Sequence, residues 1–234
     1  MDVAMISPNV YQVTLKIVNV FIVRIPVGLI LVDTGPAGSK QYIFDAIKRI
    51  GNRPDDIKHI IVTHSHHDHS GSLADIVKEV NAPVYMHPHD AMLVRKGVAY
   101  RFKLDVINNI VGIITIGSLI RLPYINIKPV KQITEVDDGD WIPGKGYLRV
   151  IHSPGHWPGQ IALFYPGDGG VIIAADVAEN HSRLRLSPGY QNKDECLATI
   201  KKISAYDFNI AVFSHGEPIL NRASEIFKIV FGLN

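Results

Sequence analysis

Apolar, β-branched runs separated by short turn signals open the chain. NVYQVTLKI, NVFIVRI and GLILVDTG follow one another closely, and this pattern predicts an antiparallel meander that ends at Asp33. SKQYIFDAIKRIG then changes to helical spacing of its apolar positions, with Gly51 as a stop signal. HIIVT predicts a short buried strand ending at Thr63, SLADIVKEV a second helix and APVYMH another strand. From Pro88 to Leu122 the pattern predicts a mostly helical insert interrupted at Gly97, Gly112 and Gly117.

The second half repeats the mixture. KQITEV, GYLRVIH, QIALFY and GVIIAAD predict strands, NKDECLATIKKIS a helix, NIAVFSH a strand, and a closing helix runs from about Ile219 to Ile229. Strands followed by helices in each half imply an α/β protein with two β-sheets packed together and helices outside. No Pro/Gly/Ser linker separates the halves, so residues 1–234 are expected to form one domain.

Composition narrows the function. A chain of 234 residues with 47% hydrophobic content suits a folded core, and a net charge of +2 without a Lys/Arg run gives no footing for nucleic acid. Cys196 is the single cysteine, which excludes an internal disulfide or a thiolate cluster, and it reads as a small apolar helix residue. No charged and apolar leader opens the chain, so a cytoplasmic location is expected. The most apolar stretch, VINNIVGIITIGSLI, is too short for a membrane span and carries two asparagines. It reads as a buried helix, a pocket wall that would favour a substrate with an apolar portion, or a homodimer contact.

The chemistry is concentrated in THSHHDHSG, directly after HIIVT. It places His64, His66, Asp68 and His69 on a turn between a buried strand and a helix. Imidazole nitrogen and carboxylate oxygen are the ligands that borderline divalent metals prefer. His156 in SPGHWPGQ, Asp176 at the end of VIIAAD and His215 at the end of NIAVFSH each follow a strand-like run. Five histidines and two carboxylates fit two metal ions sharing one carboxylate, with zinc first and iron or manganese as alternatives.

With these motifs in place, the chain resembles the metallo-β-lactamase superfamily: THSHHDH, SPGHWPG, AAD, SHG and the early LVDTG all match, and the likeness runs from VYQV to SHGEP. The resemblance implies the αβ/βα four-layer sandwich, two mixed sheets with helices outside. It allocates His64, His66 and His156 to one ion and Asp68, His69 and His215 to the other, with Asp176 touching both. Asp33 would pack and hydrogen-bond behind the metal loop. His67 reads as a loop residue beside the ligands, and His59, His87, His89, His152 and His181 have no ligand position in the family.

The implied reaction is hydrolysis of a small-molecule ester or lactone by a metal-bridging hydroxide, with Asp68 and Asp176 moving protons. Cleavage of a thioester in the manner of glyoxalase II, phosphodiester cleavage and an inactive metal-binding protein are the alternatives. Lactonases of the family often carry a tyrosine three positions after the bridging aspartate. Glu179 stands there instead, and Tyr190 or Tyr124 would have to substitute. Arg183 and Arg185 are candidates to meet a carboxylate or phosphate at the rim, or plain surface arginines.

Overall fold

The structure is a computed structural model that describes residues 2–100, 124–143 and 146–233. In chain order the strands are β1 (Asp2–Ser7), β2 (Val10–Thr14), β3 (Asn19–Ile25), β4 (Gly28–Val32), β5 (Ile57–Ile61), β6 (Val84–Met86), β7 (Val98–Tyr100), β8 (Tyr124–Asn126), β9 (Thr134–Glu135), β10 (Trp141–Ile142), β11 (Leu148–His152), β12 (Ile161–Tyr165), β13 (Val171–Ile173), β14 (Ala178–Asn180), β15 (Leu184–Leu186) and β16 (Ile210–Val212). The helices are α1 (Lys40–Arg49), the single turn α2 (His67–Ser70), α3 (Leu73–Val80), α4 (Pro88–Arg95), α5 (Lys193–Ile203) and α6 (Ala223–Val230).

One mixed sheet has the order β1-β2-β3-β4-β5-β6-β9, antiparallel up to β4 and parallel from β4 onward. The other has the order β10-β11-β12-β13-β16, with its one parallel pair between β13 and β16. Strand side chains alternate between two faces, and here both faces are buried, which is why the sequence shows unbroken apolar runs. In β3, Val20 and Ile22 face an outer core, while Phe21, Val23 and Ile25 face the inter-sheet core. In β13, Val171 and Ile173 face the inter-sheet core and Ile172 the opposite outer core.

Helices close the two outer cores. Ile43 and Ile47 of α1, Leu73 and Ile76 of α3 and Val94 of α4 pack on the first sheet. Ile200 and Ile203 of α5 and Phe227 of α6 pack on the second. Phe227 lies 5.5 Å from the Phe208 ring and 6.1 Å from that of Phe213. Burying a side chain of this size contributes roughly 1.5–3 kcal/mol, so the apolar stripe fixes α6 despite its eight residues. Three cores between four layers make the αβ/βα sandwich.

The departures from the expected elements have local causes. The closing helix starts at Ala223 because Ile219 is paired with the Ala211 backbone in both directions, at 2.8 and 2.9 Å. The β14–β15 hairpin and the edge strand β1 are additions: β14 and β15, at three residues each, are too short to display a period, and β1 buries only Ser7 of its six residues. In the expected helical insert, Pro88–Arg95 is helical, Gly97 turns at φ +74°, and β7 then pairs with β8. Residues 101–123, with all of VINNIVGIITIGSLI, lie outside the described residues. Cys196 is buried in α5. No helix among the described residues is long and apolar enough to cross a membrane.

Candidate metal centre

The carboxyl ends of β4, β5, β13 and β16 and the β11–β12 connection meet at one edge of the sandwich, bringing together all seven candidate ligands. Two seams lock the sheets there. Ile161 N donates to Thr63 O at 2.9 Å, and Asn19 Nδ2 donates to the carbonyls of Phe213 and Gly216, each at 3.0 Å.

The histidine loop is anchored from behind. Asp33, fully buried at φ +63°, accepts the Thr63 backbone N–H at 2.7 Å, the Thr63 hydroxyl at 2.8 Å and His69 Nδ1 at 2.9 Å. Thr34 Oγ1 donates to His69 O at 2.7 Å. Holding Nδ1–H of His69 leaves the lone pair of Nε2 for the centre. His215 is set the same way, Nδ1 donating to Ile17 O at 3.0 Å. Asp176 is aimed by a tight turn in which Ala175 adopts φ +50° and Val177 N donates to Ala174 O at 3.1 Å. A left-handed alanine costs on the order of 1 kcal/mol, offset here by the sheet on either side.

Asp176 Oδ2 is the hub. It lies 3.9 Å from His64 Nε2, 3.4 Å from His156 Nε2, 3.6 Å from His69 Nε2 and 3.5 Å from His215 Nε2. His66 Nδ1 lies 3.2 Å from His156 Nε2, and Asp68 Oδ2 lies 3.9 Å from His69 Nε2 and 3.7 Å from His215 Nε2. Most of these gaps are too long for hydrogen bonds. Ligand atoms at ~2.1 Å around a tetrahedral ion stand roughly 3.4 Å from one another, which is the spacing seen. The residues fall into two groups, His64, His66, His156 and Asp176, then Asp68, His69 and His215, each with ligand atoms within 4.8 Å of one another. His64 Nε2 and His69 Nε2 are buried without a hydrogen-bond partner among the described residues, a costly arrangement unless a cation takes their lone pairs.

The electrostatics agree with a site that wants positive charge. Burial, followed by the neighbouring His69 and His66, holds His64 well below the usual imidazole range, and burial followed by His156 does so for His66. Burial also opposes charge on His69, but Asp176, Asp33 and Asp68 outweigh it and raise His69 well above that range. Burial would raise Asp176, yet His215 and His69 hold it well below the carboxylate range.

A cavity of about 200 Å³ opens over the centre, with Glu179, His181, Ser187 and Pro188 as its other walls. Glu179 is buried and paired with Arg185, whose Nε donates to Oε1 at 2.6 Å. Arg183 is exposed, as are Tyr124 and Tyr190. The remaining histidines stand apart from the hub. His67 opens α2 half-exposed, and His59 Nδ1 meets Tyr85 Oη at 3.2 Å. His87 and His152 stack at 4.3 Å with planes 8° apart beside Asp137. Their in-plane lone pairs lie in parallel sheets and do not converge on one ion.

Sequence reasoning missed the wall beside His66. Tyr100 stacks on it at 5.0 Å, Trp157 lies 5.1 Å away, and Trp157 in turn donates to Asp90. The only hint was the aromatic next to His156 in GHWPG.

Fold and site together define a class of protein: a four-layer sandwich carrying a His/Asp centre at its strand ends. The chain belongs to the metallo-beta-lactamase superfamily, whose family model matches residues 13–215. It is 27% identical over 234 residues to "Probable metallo-hydrolase YflN" of Bacillus subtilis, covering 92% of this chain and 87% of that protein. It is 27% identical over 140 residues to an N-acyl homoserine lactonase of Bacillus thuringiensis, covering 58% of this chain and 44% of that protein. Among solved structures, a subclass B3 metallo-beta-lactamase of Bradyrhizobium japonicum superposes with a TM-score of 0.73 at 25% identity, covering 100% of this chain and 90% of that one.

Proposed function

We propose that the chain is a dinuclear metal-dependent hydrolase acting on the ester or lactone of a small molecule with an apolar portion. The observation that carries the reading is the hub: four imidazole nitrogens at 3.4–3.9 Å around one buried carboxylate oxygen, Asp176 Oδ2. His64, His66 and His156 would hold one ion, Asp68, His69 and His215 the other, and Asp176 both. Zinc fits this donor set, and iron or manganese would also be accepted. Bound ions supply Lewis-acid polarisation of a carbonyl oxygen and water made acidic enough to attack near neutral pH.

The chain's own residues do the rest. Asp33 and the Ile17 carbonyl hold His69 and His215 in the tautomer that presents Nε2. Asp68 and Asp176 both line the cavity, and Asp68, with 16% of its side chain exposed, is the more open carboxylate. It is therefore placed to carry a proton to the departing alkoxide. Trp157 and Tyr100 shield His66 from water. The lactonase relative supports a lactone, whereas Glu179 in the cavity wall offers a carboxylate where that kind of enzyme often has a phenol.

The test is turnover of a panel by the purified, metal-analysed protein beside His66→Ala. The panel holds acyl-homoserine lactones, aryl esters, S-lactoylglutathione, a bis-aryl phosphodiester and a chromogenic β-lactam. Lactone or ester hydrolysis that chelation abolishes, metal restores and the variant lacks is the expected result. Two bound ions per chain with no ester or lactone turned over would overturn the substrate assignment, and turnover of the thioester or phosphodiester alone would replace it.

A further inference from the structure

Asp90 lies in the first turn of α4, fully buried, yet its carboxylate does not serve its own helix. Oδ1 accepts two bonds from elsewhere, the Ser65 backbone N–H at 2.7 Å and the Trp157 indole Nε1–H at 2.7 Å. Ser65 is the residue between His64 and His66, and Trp157 follows His156. One oxygen atom thus ties together the two loops that carry the three imidazoles of one ligand group. A carboxylate accepting two N–H groups in a dry site is a strong clamp, because ionised acceptors bind such donors more tightly than neutral ones.

The clamp reaches the imidazoles through packing. Trp157 stands 5.1 Å from the His66 ring and 4.5 Å from Tyr100, which stacks on His66 from its own strand. With its N–H fixed on Asp90 the indole cannot turn, so His66 has one orientation, 3.2 Å from His156. The backbone is drawn in as closely. A Cβ on Gly159 would stand 1.9 Å from Asp90 Oδ2, so only glycine lets the GHWPG loop lie on this carboxylate.

We propose that Asp90 is a positioning residue for the ion held by His64, His66 and His156, as Asp33 is for His69. The proposal rests on the two-ion reading above. It concerns one ion, which separates it from a general contribution to stability.

The test uses the full chain as wild type, Asp90→Ala, Asp90→Asn, Trp157→Phe and His66→Ala. Metal per chain is measured by elemental analysis, and the two ions are followed separately by Co²⁺ absorption during titration. Asp90→Ala should weaken one ion on the order of 10–100-fold, the usual effect of removing an outer partner, with a spectrum like that of His66→Ala and the second ion retained. Asp90→Asn keeps an oxygen that accepts both N–H groups and should restore most of that affinity. Trp157→Phe, which removes one donor and keeps a ring, should weaken the same ion to a smaller degree and decides the matter if Asp90→Ala does not fold. Wild-type affinity for both ions in Asp90→Ala or, failing its folding, in Trp157→Phe would overturn the proposal. Equal weakening of both ions without rescue by asparagine would do the same. Fewer than two ions in the wild type would instead overturn the two-ion reading itself.

Discussion

Asp33 Oδ2 accepts the Nδ1 proton of His69 at 2.9 Å while Asp33 Oδ1 accepts the Thr63 backbone N–H at 2.7 Å, so one buried carboxylate aligns a candidate ligand and the strand end that carries the loop. Asp33→Ala leaves the Thr63 N–H and the His69 ring without an acceptor. We expect metal affinity to fall by roughly 10–100-fold. Stability should fall by about 1–3 kcal/mol for the unsatisfied buried donors. Asp33→Asn, whose amide oxygen still accepts one N–H and which tolerates the left-handed backbone, should lose less of both. Metal titration and denaturant melts of the three proteins check this, and equal losses in both variants would contradict it.

Gly71 closes the histidine loop by being small. Its φ is ordinary, but a Cβ there would stand 2.4 Å from His67 O, 2.5 Å from Ala37 N and 2.8 Å from Pro36 C. All three are backbone atoms, so no side chain can swing away. Gly71→Ala must push α2 off the Asp33–Gly38 loop, at a cost of about 1–3 kcal/mol. Because α2 carries Asp68 and His69, metal affinity should fall together with the melting temperature. A variant as stable and as tightly metal-bound as wild type would show that the loop has room.

The sandwich was legible because its strands are buried on both faces, so runs such as GLILV and GVIIA stand out without any alternation. His64, His66, Asp68 and His69 were legible as candidate ligands because they are local to one turn. His156, Asp176 and His215 became credible through their place after strands and the family likeness, since each alone is one polar residue. Asp90 was invisible: in PHDAM it reads as an acidic residue favouring a helix start, and nothing nearby in sequence reports that its oxygen meets Ser65 and Trp157. The β14–β15 hairpin escaped for want of length, and with it the pairing of Glu179 with Arg185.

That pairing makes a prediction of its own. Glu179 has 4% of its side chain exposed and Arg185 has 54%, so the carboxylate depends on a cation that water also reaches. Among the described residues, Arg185→Ala leaves Glu179 with only His181 as a basic neighbour, at 4.0 Å. A fully buried pair broken this way would cost several kcal/mol, and solvent screening of Arg185 brings the expected loss to about 1 kcal/mol. Replacing the carboxylate as well, in Glu179→Gln/Arg185→Ala, should recover part of the loss. Urea denaturation of the single and double variants measures the coupling, and strictly additive effects would mean that the two charges do not depend on each other.

The His87–His152 stack adds a pH dependence away from the metal centre. Burial, then the nearby His152, lowers the pKa of His87 against the opposing pull of Asp90 and Asp137. The folded protein therefore binds this proton less readily than the unfolded chain, whose imidazole titrates near 6.5. The stability this contributes is present above about pH 6.5 and is lost as the pH falls toward the lower folded value. His89, raised by the nearby Asp90 carboxylate, whose Oδ2 lies 3.8 Å from its Nδ1, works in the opposite sense, so the comparison must isolate His87. His87→Asn keeps a side chain able to cap α4 and cannot titrate. With metal saturating, its melting temperature should fall less than that of wild type between about pH 7 and about pH 5. Parallel curves for the two proteins would show that His87 carries none of the acid sensitivity.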